Sequence, residues 1–387
     1  MDAPAPVDMH PLPAGEPSIS AEEQAMNIIS HRKFHRIFTL PATSTHGPLK
    51  VTYGVAGPDI GEDAPTILYV GGMFGSRYLA VIQNHFASQK GVRILMIDRP
   101  GFGGSTPVKI PQRIPIFLEA AVALLAHLNI ERIALASQSS GTIFALNLVS
   151  HHPDLLYPSN PILTLFSPWV HQSISGAMPL KLAAALPDQL VSGWNSIIGG
   201  IVKTGIPTFQ ASSTVFSNVT NLFKNSRREE ISLEGREKAC QESFGTSLAV
   251  YKELTNNCGA LIFNEDTTGG NDEARLCMKS VAGTSWDRCE VYPTFVLDLK
   301  VEWEKRAKEN GTKLKLDIIW GEGNDALIGA AGMKYFKECF KQENCGEGVE
   351  VEVSEIPGAS HDTVIDPCFM PMRELLDRVS KGWKESK

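Results

Sequence analysis

Short apolar runs and segments of helical periodicity alternate along much of the chain. The apolar runs end at glycine or polar residues and predict buried strands at residues 66–70, 92–97, 132–136, 162–166, 316–320 and 349–353. The helical patterns predict helices at residues 77–90, 115–128, 141–151, 333–339 and 372–383. Residues 35–40 and 49–55 are typical of an antiparallel hairpin that precedes them. Strands that alternate with helices pair in parallel, because each crossover needs about a dozen residues. The pattern therefore predicts an α/β fold with a mostly parallel central sheet flanked by helices.

The alternation stops between about residues 168 and 290, where helical patterns dominate. An apolar stripe at helical spacing runs through Leu186, Leu190, Trp194, Ile197 and Ile201. This stripe either packs on the core or lines a substrate pocket; a membrane-surface helix is disfavoured, since only Lys203 adds charge nearby. We expect a disordered leader at residues 1–30, a core formed by residues 31–167 and 291–387, and a largely helical cap at residues 168–290, inserted after the strand that ends near Phe166.

Composition narrows the class of protein. The net charge is -7 and no basic cluster is longer than two residues, so nothing indicates the basic face that nucleic-acid binding needs. No uninterrupted apolar run is long enough to span a membrane. The N-terminal residues lack the pattern of a secretory signal, so we expect a cytoplasmic protein. The seven cysteines contain no Cys-x-x-Cys pair, which favours reduced thiols; disulfides within residues 240–289 of a secreted protein are the alternative. The ten histidines are scattered, so we predict neither a metal site nor a cofactor.

The clearest chemical motif is an apolar strand that runs through Ser137-Gln-Ser139-Ser140-Gly141 into an apolar helix. Such a strand–turn–helix context is typical of a nucleophile elbow, with Ser139 as nucleophile. The residues two positions either side must be small, and Ser137 departs mildly from the usual glycine. In this geometry the Ser140 amide points at a developing oxyanion. A serine-rich turn that only caps the helix is the alternative.

Two loops follow the first two predicted strands. In Gly71-Gly72-Met73-Phe74 the adjacent glycines let the backbone fold over a ligand, and the Met73 amide becomes a candidate oxyanion donor. Gly72 and Phe74, with Trp194 of the stripe, are candidate pocket residues. A plain glycine turn is the alternative. In the second loop we expect Asp98 and Arg99 to pair or cap rather than react.

Candidates for the base and its acid lie after the last two predicted strands. His361 follows one strand, and both Glu322 and Asp325 follow the other. The chain order Ser139, Asp325, His361 is that of one class of hydrolase, in which a carboxylate orients the imidazole that deprotonates serine.

The chain resembles the α/β-hydrolase family over about residues 50–167 and 291–380. The resemblance rests on GGMFGS, DRPGFGGS, SQSSG, GEGND and GASHD. It implies catalytic roles for Ser139, Asp325 and His361, oxyanion amides at Met73 and Ser140, and Asp325 rather than Glu322 as the acid. In the family, position 71 is usually histidine, and Gly71 departs from that.

These motifs predict a carboxylesterase-like serine hydrolase that cleaves an ester-like or lactone bond of a mainly apolar small molecule. The alternatives are a C–C bond hydrolase or lyase with the same three residues, and a ligand-binding homologue without catalysis. Epoxide hydrolysis and dehalogenation normally use a carboxylate nucleophile, whereas position 139 is Ser. We expect a small-molecule substrate, no nucleic-acid partner and no membrane span, and we leave a homodimer open.

Overall fold

A computed structural model describes residues 19–175, 233–323, 325, 327–385 and 387. Its centre is a sheet of eight strands, β1 to β8, namely Arg36–Leu40, Leu49–Ala56, Thr66–Val70, Arg93–Ile97, Ala134–Gln138, Ile162–Phe166, Leu314–Gly321 and Val349–Ile356. The spatial order is β1-β2-β4-β3-β5-β6-β7-β8. The pairs β1–β2 and β2–β4 are antiparallel and every other pair is parallel. The predicted mostly parallel α/β sheet with its antiparallel N-terminal hairpin is therefore confirmed.

Twelve α-helices are defined within the described residues. Numbered α1 to α12 in chain order, they are Ala21–Ile29, Leu79–Lys90, Arg113–His127, Gly141–His151, Gln172–Ser175, Leu233–Phe244, Leu248–Asn264, Thr268–Met278, Tyr292–Asn310, Gly329–Cys339, Gln342–Cys345 and Met370–Glu385. Apolar residues of α3, α4, α9 and α10 form a core on one face of the sheet. Those of α1, α2, α7 and α12 form a second core on the other face. Both faces of the sheet are thus covered, as a buried parallel sheet requires.

The chain reverses its direction of travel across the sheet at β3. From β3 it crosses to β4 on one side, and β5 then pairs with β3 on the other. In open α/β sheets, ligands bind outside the carboxyl ends of the strands at such a switch point. The loop after β3 and the turn after β5 both lie at this position, and they carry the predicted oxyanion loop and Ser139.

A helical region follows β6, as the sequence predicts. Its described part contains α5, α6, α7 and α8 and ends close to the start of α9. Helix α7 packs on α1, and α6 packs on α2. The apolar stripe that includes Trp194 lies outside the described residues.

The prediction of a disordered leader at residues 1–30 is wrong for residues 21–29. Residues 21–29 form α1, which buries Ala25 and Ile29 against the core. Ser20 caps this helix, because its side chain accepts the Glu23 amide at 3.1 Å. The Ser-x-x-Glu spacing is a helix-start signal, and the apolar face of α1 gives the helix a surface to pack.

The seven cysteines are all free thiols, and six of them are buried. This agrees with the interpretation of reduced structural cysteines. Among the helices of the described ranges, none has the length and apolarity needed to cross a bilayer.

Candidate functional site

The turn between β5 and α4 holds Ser139 in a strained conformation. Its φ is 50°, which few residues other than glycine adopt. The Ser139 amide donates to the Phe166 carbonyl at 3.0 Å, which ties the turn to the end of β6. At Gly141, an added Cβ would lie 2.2 Å from the Val70 carbonyl oxygen, so only glycine fits. Ser137 is accommodated with no exposed surface. The turn therefore has the tight geometry that the sequence predicts.

His361 and Asp325, which follow β8 and β7, are hydrogen-bonded to each other. His361 Nδ1 lies 2.6 Å from Asp325 Oδ2. The other carboxylate oxygen accepts the amides of Leu327 and Ile328, each at 2.9 Å. Since a carboxylate can only accept, Nδ1 carries the proton and the neutral ring keeps its lone pair on Nε2. This tautomer is the one a general base of this type needs.

Burial and charge act in opposite directions on this pair. Burial opposes ionisation of Asp325, but His361 and the two backbone amides outweigh it and hold the pKa of this carboxyl below its usual range. Burial also lowers the pKa of His361, but the Asp325 carboxylate outweighs that effect and raises the pKa above its usual value. The neighbouring Asp362 adds to the increase. Burial raises the pKa of Asp362 itself.

The structure separates the two candidate acids. Glu322 is exposed, and its Oε2 accepts the Gly358 amide at 2.6 Å. It therefore stabilises the turn that follows β8, whereas Asp325 is 6% exposed and contacts His361.

Gln138, which sequence reasoning missed, connects the histidine loop to the serine turn. Its Nε2 donates to the His361 carbonyl at 3.1 Å, and its Oε1 accepts the Tyr69 hydroxyl at 3.3 Å. The residue before Ser139 thus fixes the backbone of His361. The His361 Nε2 atom is buried and has no hydrogen-bond partner among the described residues. The only signal in the sequence was a polar residue at the end of an apolar strand.

The β3–α2 loop lies directly against Ser139. An added Cβ on Gly72 would be 3.2 Å from the Ser139 Cβ, and the Gly72 carbonyl accepts the Gly75 amide at 2.7 Å. Within the described residues, neither the Met73 amide nor the Ser140 amide has a hydrogen-bond partner. Two free amides are therefore present in the two loops that meet at the switch point.

The predicted pocket residues have different surroundings. Gly72 touches the serine turn, whereas Phe74 is 3% exposed. The ring of Phe74 packs against Phe102 and Phe263, with ring centroids 6.2 and 5.5 Å apart. Trp194 lies outside the described residues.

No group of three or more metal-ligating side chains occurs in the part of the chain that the structure describes. The described residues near the switch point offer the Ser139 hydroxyl and the Met73 and Ser140 amides, and Gln138 joins the loop of the oriented His361 imidazole to the serine turn.

Comparisons with known proteins agree with this architecture. A family model described as alpha/beta hydrolase fold matches residues 65–156. No match was found among the curated proteins compared by sequence. Solved structures with the same fold include a carboxylesterase from the thaumarchaeon Nitrososphaera gargenis, with 13% identity, a TM-score of 0.52 and coverage of 91% of this chain and 100% of that chain. They also include potato epoxide hydrolase I, with 15% identity, a TM-score of 0.52 and coverage of 91% and 99%.

A variant of an epoxide hydrolase from Vigna radiata is similar at 15% identity, with a TM-score of 0.51 and coverage of 91% of this chain and 98% of that chain. Identities this low speak to the fold alone, because one fold supports many chemistries. The matched segment contains β3, β4, β5 and α4, which carry the GGMFGS, DRPGFGGS and SQSSG motifs. The structure and these comparisons together show that this chain has the α/β-hydrolase fold.

Proposed function

We propose that the protein is a serine hydrolase that cleaves an ester-like or lactone bond of a mainly apolar small molecule through an acyl-serine intermediate. The observation that carries the proposal is the 2.6 Å contact between Asp325 and His361 Nδ1. It orients a buried ring whose Nε2 has no hydrogen-bond partner among the described residues. Gln138, the residue before Ser139, donates a hydrogen bond to the backbone carbonyl of His361. A base held in one tautomer activates a hydroxyl within its reach, and the contact between Gln138 and the His361 carbonyl supports Ser139 as that hydroxyl.

In the proposed reaction, His361 Nε2 takes the Ser139 proton while Oγ attacks the carbonyl carbon of the ester. The carbonyl electron pair moves onto oxygen, and the negative charge is met by the Met73 and Ser140 amides. When the tetrahedral intermediate collapses, the bond to the alcohol oxygen breaks and His361 returns its proton to that oxygen. Water then attacks the acyl-serine in the same way, which releases the acid and restores Ser139. Asp325 remains ionised and stabilises the imidazolium.

His361 Nε2 makes no hydrogen bond to Ser139 Oγ in the structure. The absence of this bond is compatible with the proposed reaction, because such bonds are often long before substrate binds. Gly72, Phe74 and Trp194 are proposed to shape the acyl pocket, with residues 168–290 as a cap above Ser139. An apolar cap would exclude water from the intermediate and strengthen the oxyanion hydrogen bonds.

The similar structures include epoxide hydrolases, yet we do not assign that activity to this chain. Hydrolysis of an epoxide on this fold normally starts from a carboxylate nucleophile, and position 139 is Ser. Serine with an oriented histidine is suited to acyl transfer instead.

A fluorophosphonate probe tests the proposal without knowledge of the natural substrate. We expect the wild-type protein to form a covalent phosphonyl adduct, and peptide mapping to place it on Ser139. Hydrolysis of p-nitrophenyl acyl esters should accompany the labelling. A protein that binds small apolar molecules but takes up no label would be a non-catalytic homologue, and the proposal would be wrong.

The pH dependence of kcat/KM provides a second test. His361 must be unprotonated to act as a base, so activity should rise with pH through its pKa. Because Asp325 raises that pKa, the acid limb should lie above the ordinary value of 6.5. Asp362→Asn should move the limb to lower pH and leave the plateau nearly unchanged, since it removes a charge that raises the pKa of His361 without touching the Asp325 contact. A wild-type limb at or below 6.5 would contradict this assignment.

A further inference from the structure

A buried charged cluster lies behind the two loops that carry the proposed oxyanion amides. It consists of Arg99, Arg113 and Glu273, none of which has any exposed surface. Glu273 belongs to α8, in the helical region after β6, where no motif was recognised in the sequence. Fully buried arginine and glutamate are rare unless they are paired and hydrogen-bonded, so their contacts indicate what they hold in place.

Arg99 binds the oxyanion loop directly. Its Nη1 donates to the Gly71 carbonyl and its Nη2 to the Gly72 carbonyl, both at 2.7 Å. The Gly72 carbonyl and the Met73 amide belong to one peptide plane, so this hydrogen bond fixes the direction of the Met73 N–H. It also withdraws electrons from the same peptide, which strengthens the amide as a donor. Glu273 holds the guanidinium through two further contacts of 2.7 Å.

Glu273 also reaches the second proposed donor residue. The Ser140 hydroxyl donates to Glu273 Oε1 at 2.8 Å. One carboxylate is therefore connected to both sides of the proposed oxyanion hole: through Arg99 to the Met73 peptide, and through the side chain of Ser140 to the start of α4.

The charges in the cluster do not cancel. Arg113 Nη2 lies 3.2 Å from Glu273 Oε2, so two guanidinium groups share one carboxylate. Burial opposes ionisation of Glu273, but Arg99 and Arg113 outweigh it and keep the pKa of Glu273 below its usual range. These three side chains together carry a net positive charge of one, which the nearby Asp272 carboxylate offsets in part at Arg113. Because Arg99 is the charged group that contacts the Gly72 carbonyl, the role of Glu273 is to hold that guanidinium in place and not to supply favourable charge.

We propose that Arg99 and Glu273 are positioning residues of the oxyanion hole, which they orient and polarise through the Gly72–Met73 peptide and Ser140. This inference rests on the proposed serine hydrolase function. It gives α8 a role in the chemistry, because the inserted helical region supplies the carboxylate that completes the core's site. The competing explanation is that these ion pairs only hold α8 against the core and have no part in the chemistry. A buried ion pair by itself does not distinguish the two, since such pairs contribute little or unfavourably to stability.

The test is the ratio of kcat/KM for a p-nitrophenyl ester to kcat/KM for the thionoester with the same acyl chain. In the thionoester the developing charge lies on sulfur, a weak hydrogen-bond acceptor, so it gains little from the two amides. Glu273→Gln keeps the shape of the side chain but removes its charge. We expect kcat for the ester to fall about 10-fold to 100-fold, with KM little changed. Thionoester hydrolysis should fall much less, so the ratio should collapse.

Glu265→Gln is the matched control. Glu265 precedes α8 and forms an ion pair with Arg77, so it too joins this segment to the core. It makes no contact with Gly72, Met73 or Ser140 among the described residues. We expect Glu265→Gln to leave the ester-to-thionoester ratio at the wild-type value, even if the melting temperature falls as much as in Glu273→Gln.

Three outcomes would overturn the inference. If the Glu273→Gln protein is folded and keeps the wild-type ester-to-thionoester ratio, the cluster only holds α8 against the core. If Glu265→Gln lowers this ratio as much as Glu273→Gln does, the effect is not specific to the oxyanion loop. If Glu273→Gln does not fold, Ser140→Ala decides: it removes only the hydroxyl contact with Glu273, and an unchanged ratio would contradict the proposal. Wild-type protein that neither takes up fluorophosphonate nor hydrolyses esters would instead show that the proposed function has failed.

Discussion

Ser139→Ala is expected to abolish the hydrolysis of p-nitrophenyl acyl esters, with kcat lower by about 10⁶-fold, as when the nucleophile of a comparable serine enzyme is removed. The alanine keeps a Cβ and has no greater difficulty than serine at the φ of 50°. The fold should therefore remain intact, with a melting temperature close to that of the wild type. Fluorophosphonate labelling at this position should disappear together with turnover.

Ser137→Ala serves as the control for this experiment. Ser137 lies two residues earlier in the same turn, is fully buried, and its hydroxyl has no hydrogen-bond partner among the described residues. Its removal should leave turnover and labelling nearly unchanged. If Ser139→Ala retained a kcat near that of the wild type, another residue would be the nucleophile and the proposed mechanism would be wrong.

The fold was predictable because its signal is local. Each strand is a short apolar run between turn residues, and the observed bounds of β3, β4 and β6 differ from the predicted ones by at most one residue. The spatial order of the strands has no such local signal. Nothing in the periodicity indicates that β3 lies between β4 and β5, since that depends on which crossovers bury the most apolar surface.

Helix α1 shows a signal that was present but overlooked. The proline-rich composition of the first residues suggested a leader, yet Ser20 and Glu23 form a capping pair just before the apolar positions Ala25 and Ile29. The average composition of the N-terminal residues does not reveal such a helix-start signal, because the signal depends on the positions of single residues. The helix is short, and it is stable because α7 covers its apolar face.

The candidate site was only partly predictable for a similar reason. Ser139, Asp325 and His361 each follow a strand within a short motif, so their order along the chain was informative. Arg99 and Glu273 meet across 174 positions, and neither lies in a pattern that points to the other. Long-range ion pairs leave no periodic trace in a sequence. The prediction that Arg99 pairs rather than reacts agrees with the structure, but its partner could not be named.

The ranking of the two candidate acids is the sharpest remaining test. Asp325→Asn should lower kcat/KM by about 10⁴-fold, because an amide in place of the carboxylate favours the wrong histidine tautomer and leaves the imidazolium without a counter-charge. The side chain would still fill its site, since Asp325 also accepts the Leu327 and Ile328 amides through Oδ1. The loss should therefore appear in the rate, with little change in ester KM or in the melting temperature.

Glu322→Gln is the matched comparison, because it removes the other carboxylate of the same loop without changing its shape. Glu322 accepts the Gly358 amide and does not contact His361, so its amide form can still accept that hydrogen bond through its carbonyl oxygen. We expect only a small loss of kcat/KM. The same ester series should be used for both variants, with fluorophosphonate labelling to count active sites. If Glu322→Gln lost far more activity than Asp325→Asn, the acid would have to be moved to Glu322, and the 2.6 Å contact between Asp325 and His361 would not describe the active enzyme.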